Sequence, residues 1–330
     1  MADAKISALT LDTSLIGTEE LPFALAGANG KTTVDAIYNN LKLDTAAGVP
    51  AAPSAGKTAI FARNVGGRIL PAFKGPSGLD SSLQPHLGRN RFSYWQPLGN
   101  STTVPLTTGF SAATALGTAT ARNVAVTNVL TRMKRLGYVS AATAAAFSGI
   151  YWNAAAGTQI TVGSGAGNDA SGFHAVIRFG VSDAAAVAGA RMFIGFQTGV
   201  AAPTNVEPNT LTNCIGVAQL STDNTQFYLV YGGSAAQTAI PLGTVVGAPT
   251  LTDTAFDLSL FSSQYSSTLI GYTFTNLKTG VEVSGTVSGV AGTAIPSSST
   301  YGMIRAWRCN NATLLAVGLD IGSITVETDA

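Results

Sequence analysis

"FHAVIRFGV", Phe173 to Val181, is the stretch that decides the fold. Phe173, Ala175, Ile177, Phe179 and Val181 alternate with His174, Val176, Arg178 and Gly180, the period of two that one buried face of a β-sheet imposes on its sequence. The same alternation recurs at 192–196, 227–231, 269–274 and 281–283, then at 303–307, 316–321 and 324–326. Strands at short spacing, with turn residues and no helices between them, predict an all-β fold, an antiparallel sandwich or barrel. Only residues 123–137 offer a competing helix. Val126, Val129, Leu130 and Met133 have helical spacing there, but Val, Thr and Asn favour extended chain, so strand is expected.

A chain of 330 residues can hold one large β domain and a small appendage. Charged residues make up only 11%, against about 25% in ordinary soluble domains, while apolar residues reach 46%. Few charges are available to cover a surface, so the surface is expected to be rich in small polar residues or partly hidden between subunits, and the second is favoured. A net charge of +1 argues against general nucleic-acid binding. No apolar run approaches the roughly 18 residues of a membrane span, so no membrane insertion is expected. The opening Met1-Ala-Asp-Ala-Lys5 lacks the basic and apolar segments of a signal peptide, which predicts assembly in a cytoplasm. Cys214 and Cys309 are too few and too far apart for a disulfide framework, and are expected as small buried side chains.

Upstream, "LAGANGKTTVDAIYNNLK", residues 25–42, contains a Gly-Lys-Thr triplet before a helix-like stretch. A phosphate loop requires glycine five positions before the Gly-Lys pair, and Leu25 stands there; Gly56-Lys57-Thr58 fails in the same way, with Ala51. Asn29-Gly30 is read instead as a two-residue hairpin turn joining 21–25 to 31–34. Asp35 would then cap a short helix with Ile37, Tyr38 and Leu41 on its apolar side. Strand, turn, strand and helix make a docking module over residues 1–43, too small for a core of its own. Residues 44–87 follow as a linker and extended connector, because proline and glycine recur too often for long strands or helices. Residues 88–330 form the sandwich.

Two histidines, His86 and His174, cannot build a histidine-rich metal site, and no metal or cofactor is expected. A serine triad around His174 and Asp183 lacks a Gly-x-Ser-x-Gly elbow, so His174 is placed on a sheet face. For glycoside cleavage the candidate carboxylates are Glu207, Asp253, Asp257 and Glu282, but spacing in sequence brings no two of them together. Between Ser81 and Asn168 there is no acid, while Arg89, Arg91, Arg122, Arg132, Lys134 and Arg135 fall there. These could meet an acidic glycan or lipid phosphates; a solvated strand face or an inter-subunit contact is favoured. The pairs Tyr94-Trp95 and Tyr151-Trp152, with Asn153 and Gln96 beside them, are the glycan-binding candidates, since aromatic rings stack on sugar C–H faces. Aromatic residues of an all-β chain are more often core. Trp307 is expected to be mostly buried.

Residues 5–42 resemble the N-terminal module of tailed-bacteriophage tail and fibre proteins, through Lys5-Ile-Ser-Ala-Leu9, Gly17-Thr-Glu19 and Val34-Asp-Ala-Ile37. Residues 64–99 are similar to a connector of phage appendage proteins, and "GFHAVIRFGV" with "LLAVGLDIGSITVETD" looks like a concanavalin-type, jelly-roll sandwich. The resemblance implies a non-enzymatic virion structural protein, a tail fibre or appendage, usually a homotrimer. Its module would dock on phage tail or baseplate proteins through Leu9, Phe23, Leu25, Ile37, Tyr38 and Leu41, and its sandwich would face host surface polysaccharide. A decoration or collar protein and a polysaccharide depolymerase are the alternatives.

Overall fold

A computed structural model describes residues 20–25, 28–33, 49–75, 80–82, 91–152, 172–262, 268–297 and 302–328. The chain divides into two compact units, Met1–Ala62 with Pro71–Ser81, and Arg63–Leu70 with Ser82–Ala330.

In the first unit β1 (Glu20–Leu25) and β2 (Ala28–Thr33) pair antiparallel. Asn29 and Gly30 lie inside β2, opposite Ala24 and Phe23, and not at the reversal where the sequence suggests them. The observed register runs from Glu20↔Thr33 to Leu25↔Ala28, a longer ladder than a turn at Asn29-Gly30 would leave. Of the expected docking residues, Phe23 and Leu25 lie on β1. Leu9, Ile37, Tyr38 and Leu41, with the helix expected after Asp35, fall outside the described residues.

The stretch read as an irregular connector carries strands. β3 (Ala59–Val65), β4 (Arg68–Lys74) and β5 (Asp80–Ser82) form a three-stranded sheet in that order. Gly66 and Gly67, with φ of +61° and +94°, supply the left-handed backbone that a tight hairpin requires. In β4, buried Leu70 and Ala72 alternate with exposed Ile69 despite Pro71 between them.

The second unit is an antiparallel sandwich. Its strands are β6 (Arg91–Trp95), β7 (Thr114–Leu116), β8 (Thr118–Ala121), β9 (Leu136–Val139), β10 (Phe147–Tyr151), β11 (Phe173–Val181), β12 (Arg191–Thr198), β13 (Cys214–Leu220), β14 (Asp223–Gly232), β15 (Ile240–Pro241), β16 (Phe256–Ser262), β17 (Leu269–Asn276), β18 (Glu282–Ser288), β19 (Gly302–Cys309) and β20 (Gly318–Thr328). A seven-stranded sheet runs β15-β14-β13-β12-β19-β10-β7. The eight-stranded sheet runs β18-β17-β16-β11-β20-β9-β8, with β6 also paired to β20.

Alternation on β11 is as the sequence reads. Phe173, Ala175, Ile177, Phe179 and Val181 are at most 1% exposed and face the core. Across it, Phe227 of the seven-stranded sheet meets Phe256 at 4.9 Å and Phe274 at 4.8 Å, ring centre to ring centre. Each such ring adds about 1.5–3 kcal/mol of burial.

The opposite face of β11 is covered by the tip of the β3–β4 hairpin, residues 63–70. Arg68 Nη1 reaches Glu327 at 3.2 Å and the His174 ring at 3.0 Å, and Arg63 pairs with Glu282 at 2.6 Å. Gly66 N–H donates to Thr273 Oγ1 at 2.8 Å. A Cβ on Gly271 would come within 1.9 Å of Gly66 O, so β17 needs glycine where the hairpin crosses it. His174 therefore lies on a sheet face, as expected, but buried at 2% exposure.

Residues 123–137 are not one strand. Asn128 caps a single helical turn, α1 (Val129–Arg132), in a capping box with Thr131, and the chain extends only from Leu136. Two of the arginines near it turn to a buried acid: Arg122 Nε and Arg135 Nε donate to the two carboxylate oxygens of Asp320, at 3.0 and 2.8 Å, while Arg132 and Lys134 are exposed. Among the described residues no helix is long and apolar enough to cross a membrane.

Candidate functional site

Strand β19 carries two buried arginines on opposite faces. Ile304 and Ala306 enter the sandwich core, so Arg305 and Trp307 lie on the other face of the seven-stranded sheet. Trp307 packs there with Phe193, Cys214, Ala218, Val230 and Cys309 in a second apolar cluster. Arg308, facing the other way, is fully buried and neutralised: Asp183 accepts from its Nε at 3.0 Å and its Nη2 at 2.6 Å, and Gln219 accepts from Nη1.

Among the described residues Arg305 has no such partner. It is 4% exposed, and its one hydrogen bond runs from Nη2 to the carbonyl of Gly199, at 3.0 Å. Its Nε–H and the Nε1–H of Trp307 are buried without an acceptor among the described residues. Burial pulls the Arg305 guanidinium below its ordinary pKa, and neighbouring Tyr151 works against that fall. Guanidinium stays charged regardless, so no described carboxylate compensates the charge.

The segment between β12 and β13, residues 199–213, crosses this face and makes the other wall. Glu207 pins it, accepting from Arg191 Nε at 2.6 Å, from the Ser221 amide at 2.6 Å and from Ser221 Oγ at 2.9 Å. Between segment and sheet lies a cavity of about 230 Å³ lined by Gln197, Pro203, Thr204, Leu211, Arg305 and Trp307. It is smaller than the roughly 300–1,000 Å³ of drug-sized sites, and so suits a small ligand or one unit of a longer one. Tyr151 stands opposite Arg305 on β10 and Gly195 opposite it on β12. A Cβ on Gly195 would lie 2.2 Å from Ile215 O, so the floor beside the guanidinium stays bare.

The glycan candidates read from the sequence scatter. Trp95 and Trp152, each 2% exposed, belong to the core; Trp152 donates to Ser111 O at 2.9 Å and packs on Phe110 at 5.1 Å. Neither ring offers a sugar a stacking face, because period-two alternation turns both inward. Tyr94 is half-buried on β6, stacked with Phe92 at 6.3 Å. Tyr151, 8% exposed, is the one that stands beside the cavity residue Arg305, opposite it on β10, and Asn153 lies outside the described residues. Arg305, Gln197, Thr204 and Leu211 were not legible as a site. "MIRAWR" does put Arg305 and Trp307 on one face, but no spacing reveals that the arginine lacks an acid.

Every described carboxylate of the sandwich is engaged. Asp183, Asp257, Glu207, Glu282, Asp320 and Glu327 each face arginine, and Asp253 faces Lys278. Asp223 accepts from Thr225, Gln226 and Tyr228. The cleavage candidates Glu207, Asp253, Asp257 and Glu282 are thus held by separate cations. Among the described residues no three His, Cys, Asp or Glu side chains converge as metal ligands. Cys214 and Cys309 are free and buried, and burial pushes the Cys214 thiol up to about 12.

No protein-family model matches the chain, and no curated protein matches it. Solved structures do. Lectin II from Ulex europaeus is 9% identical, with 74% of this chain and 100% of that one covered and a TM-score of 0.47. Peanut lectin with a bound nonapeptide is 10% identical, covering 72% and 97%, at 0.44. A Shewanella oneidensis protein of unknown function is 12% identical, covering 75% and 91%, at 0.42. At these low identities and TM-scores the likenesses transfer no family, site or activity to this chain.

Proposed function

We propose that the chain is a non-enzymatic structural protein of a tailed-bacteriophage virion, a tail fibre or appendage assembled in the host cytoplasm. It attaches through its N-terminal module, and its sandwich contacts polysaccharide on the host surface. Attachment rests on the resemblance of residues 5–42. The observation that carries the binding part is the cavity lined by Arg305 and Trp307, two residues whose buried N–H groups meet no acceptor among the described residues, with apolar walls at Pro203 and Leu211. Sugar ligands offer that combination, oxygen acceptors beside C–H faces. Binding is favoured over cleavage because a general acid needs a carboxyl free to hold and release a proton, and the described carboxylates are occupied by cations or hydrogen-bond donors.

A glycan array probed with the folded full-length chain tests the binding part. Retention of a host-surface glycan by the native chain, lost on Leu211→Trp, which fills the cavity, is expected; a blank array overturns it. Antibody against the sandwich, imaged on virions, tests the location. Label on the tail is expected, and label on the capsid alone overturns the tail assignment.

A further inference from the structure

Arg305 and Arg308 are an internal comparison within one strand. Both are buried, both keep their charge, and among the described residues only Arg308 has a carboxylate. Burying an ion without a counter-ion costs several kcal/mol, which is why buried charges are paired, and the described cation–carboxylate pairs of this sandwich follow that rule. Arg305 departs from it at the wall of a cavity. The neighbouring unpartnered group, Trp307 Nε1–H, is also a donor, so the vacant partner is an acceptor. Gln197 on the sheet and Thr204 on the facing segment can donate further hydrogen bonds, while Pro203 and Leu211 suit a ring's C–H face. A neutral sugar hydroxyl would satisfy the hydrogen bond and leave the charge unanswered. A planar carboxylate answers both, because the guanidinium fork matches it.

We propose that this pocket binds the carboxylate of an acidic sugar unit, with Arg305 as its counter-ion and the Trp307 indole N–H as a second donor. The inference rests on the reading of the sandwich as a sugar-binding module, and adds that the recognised unit is anionic. A charged, buried anchor of this kind discriminates strongly, since a neutral analogue would leave the guanidinium desolvated and unpaired.

The test is titration calorimetry on the full chain with galacturonate trimer and sialyllactose, their neutral counterparts galactose trimer and lactose, sodium acetate and inorganic phosphate. At least one acidic oligosaccharide is expected to bind, with its neutral counterpart weaker by about ten- to a hundredfold. Arg305→Met abolishes that preference, Trp307→Phe weakens it less, and Arg132→Met, altering an exposed arginine outside the pocket, leaves it intact. A thermal midpoint of Arg305→Met no lower than that of the native chain shows that lost binding is not lost folding. Equal binding of acidic and neutral sugars, unaffected by Arg305→Met, overturns the anionic inference and leaves the sugar-binding reading standing. Arg305-dependent binding of acetate or phosphate with no oligosaccharide bound overturns the sugar identity and the reading beneath it. No binding at all by folded protein overturns both.

Discussion

Arg308 and Arg305 show how far one missing partner changes the meaning of a residue. Replacing Arg308 by Met removes the cation that Asp183 faces and strands a buried carboxylate, 4% exposed, so a loss of about 3–5 kcal/mol is expected from urea unfolding. Arg305→Met removes a charge that no described carboxylate balances, and the same measurement is expected to show no loss. The cysteines behave as the sequence suggests. Burial raises both thiol pKa values, so neither Cys214 nor Cys309 is expected to react with a thiol reagent at neutral pH until the chain is unfolded. A rapid reaction of the native protein would count against their burial.

At the scale of elements, the β3–β4 hairpin is the finding that periodicity did not announce. Its tip is held on the eight-stranded sheet by close backbone approach at Gly271 and by Arg68 and Arg63. Gly271→Ala puts a methyl group where Gly66 O sits, and is expected to detach residues 63–70 while the core strands persist. Hydrogen exchange should then accelerate at 63–70 and remain slow at β11 and β20; unchanged exchange in the hairpin would refute the latch. Turn carboxylates add a pH dependence. Asp223, through bonds from Thr225, Tyr228 and Gln226, and Asp253, through Lys278, are held below the usual carboxylate range. A depressed native pKa stabilises above the unfolded value of about 4, and that contribution is lost as pH falls through the native value. The thermal midpoint should therefore decline modestly below about pH 4, less so in Asp223→Asn.

For the whole molecule, the core and the surface carry separate tests. Phe227 joins the two sheets through Phe256 and Phe274, and Phe227→Ala is expected to cost about 3–5 kcal/mol. Charged side chains are few, and most described acids face cations within the sandwich, which leaves little charge to keep a lone chain soluble. A homotrimer, which the resemblance of residues 5–42 implies, would hide part of that surface, and light scattering should then give about three times the chain's 33.5 kDa. A monomeric mass would remove the trimer from the proposal.

What the sequence determined by itself is an all-β fold, sandwich or barrel, because a two-residue period states directly which side chains face inward: Phe173 through Val181 on β11, and likewise on β12, β14 and β17. The two cysteines were legible as buried because free cysteine packs as a small apolar side chain, and Trp307 is buried as expected, though in the outer cluster and not in the core. Tertiary structure alone decided the partners. Arg122 and Arg135 find Asp320 nearly two hundred residues away, His174 lies beneath a hairpin read as irregular chain, and Trp95 and Trp152 turn into the core. The pocket belongs to this second group. Whether an arginine is paired depends on distances between strands remote in the chain, and local pattern holds no record of a counter-ion that is absent.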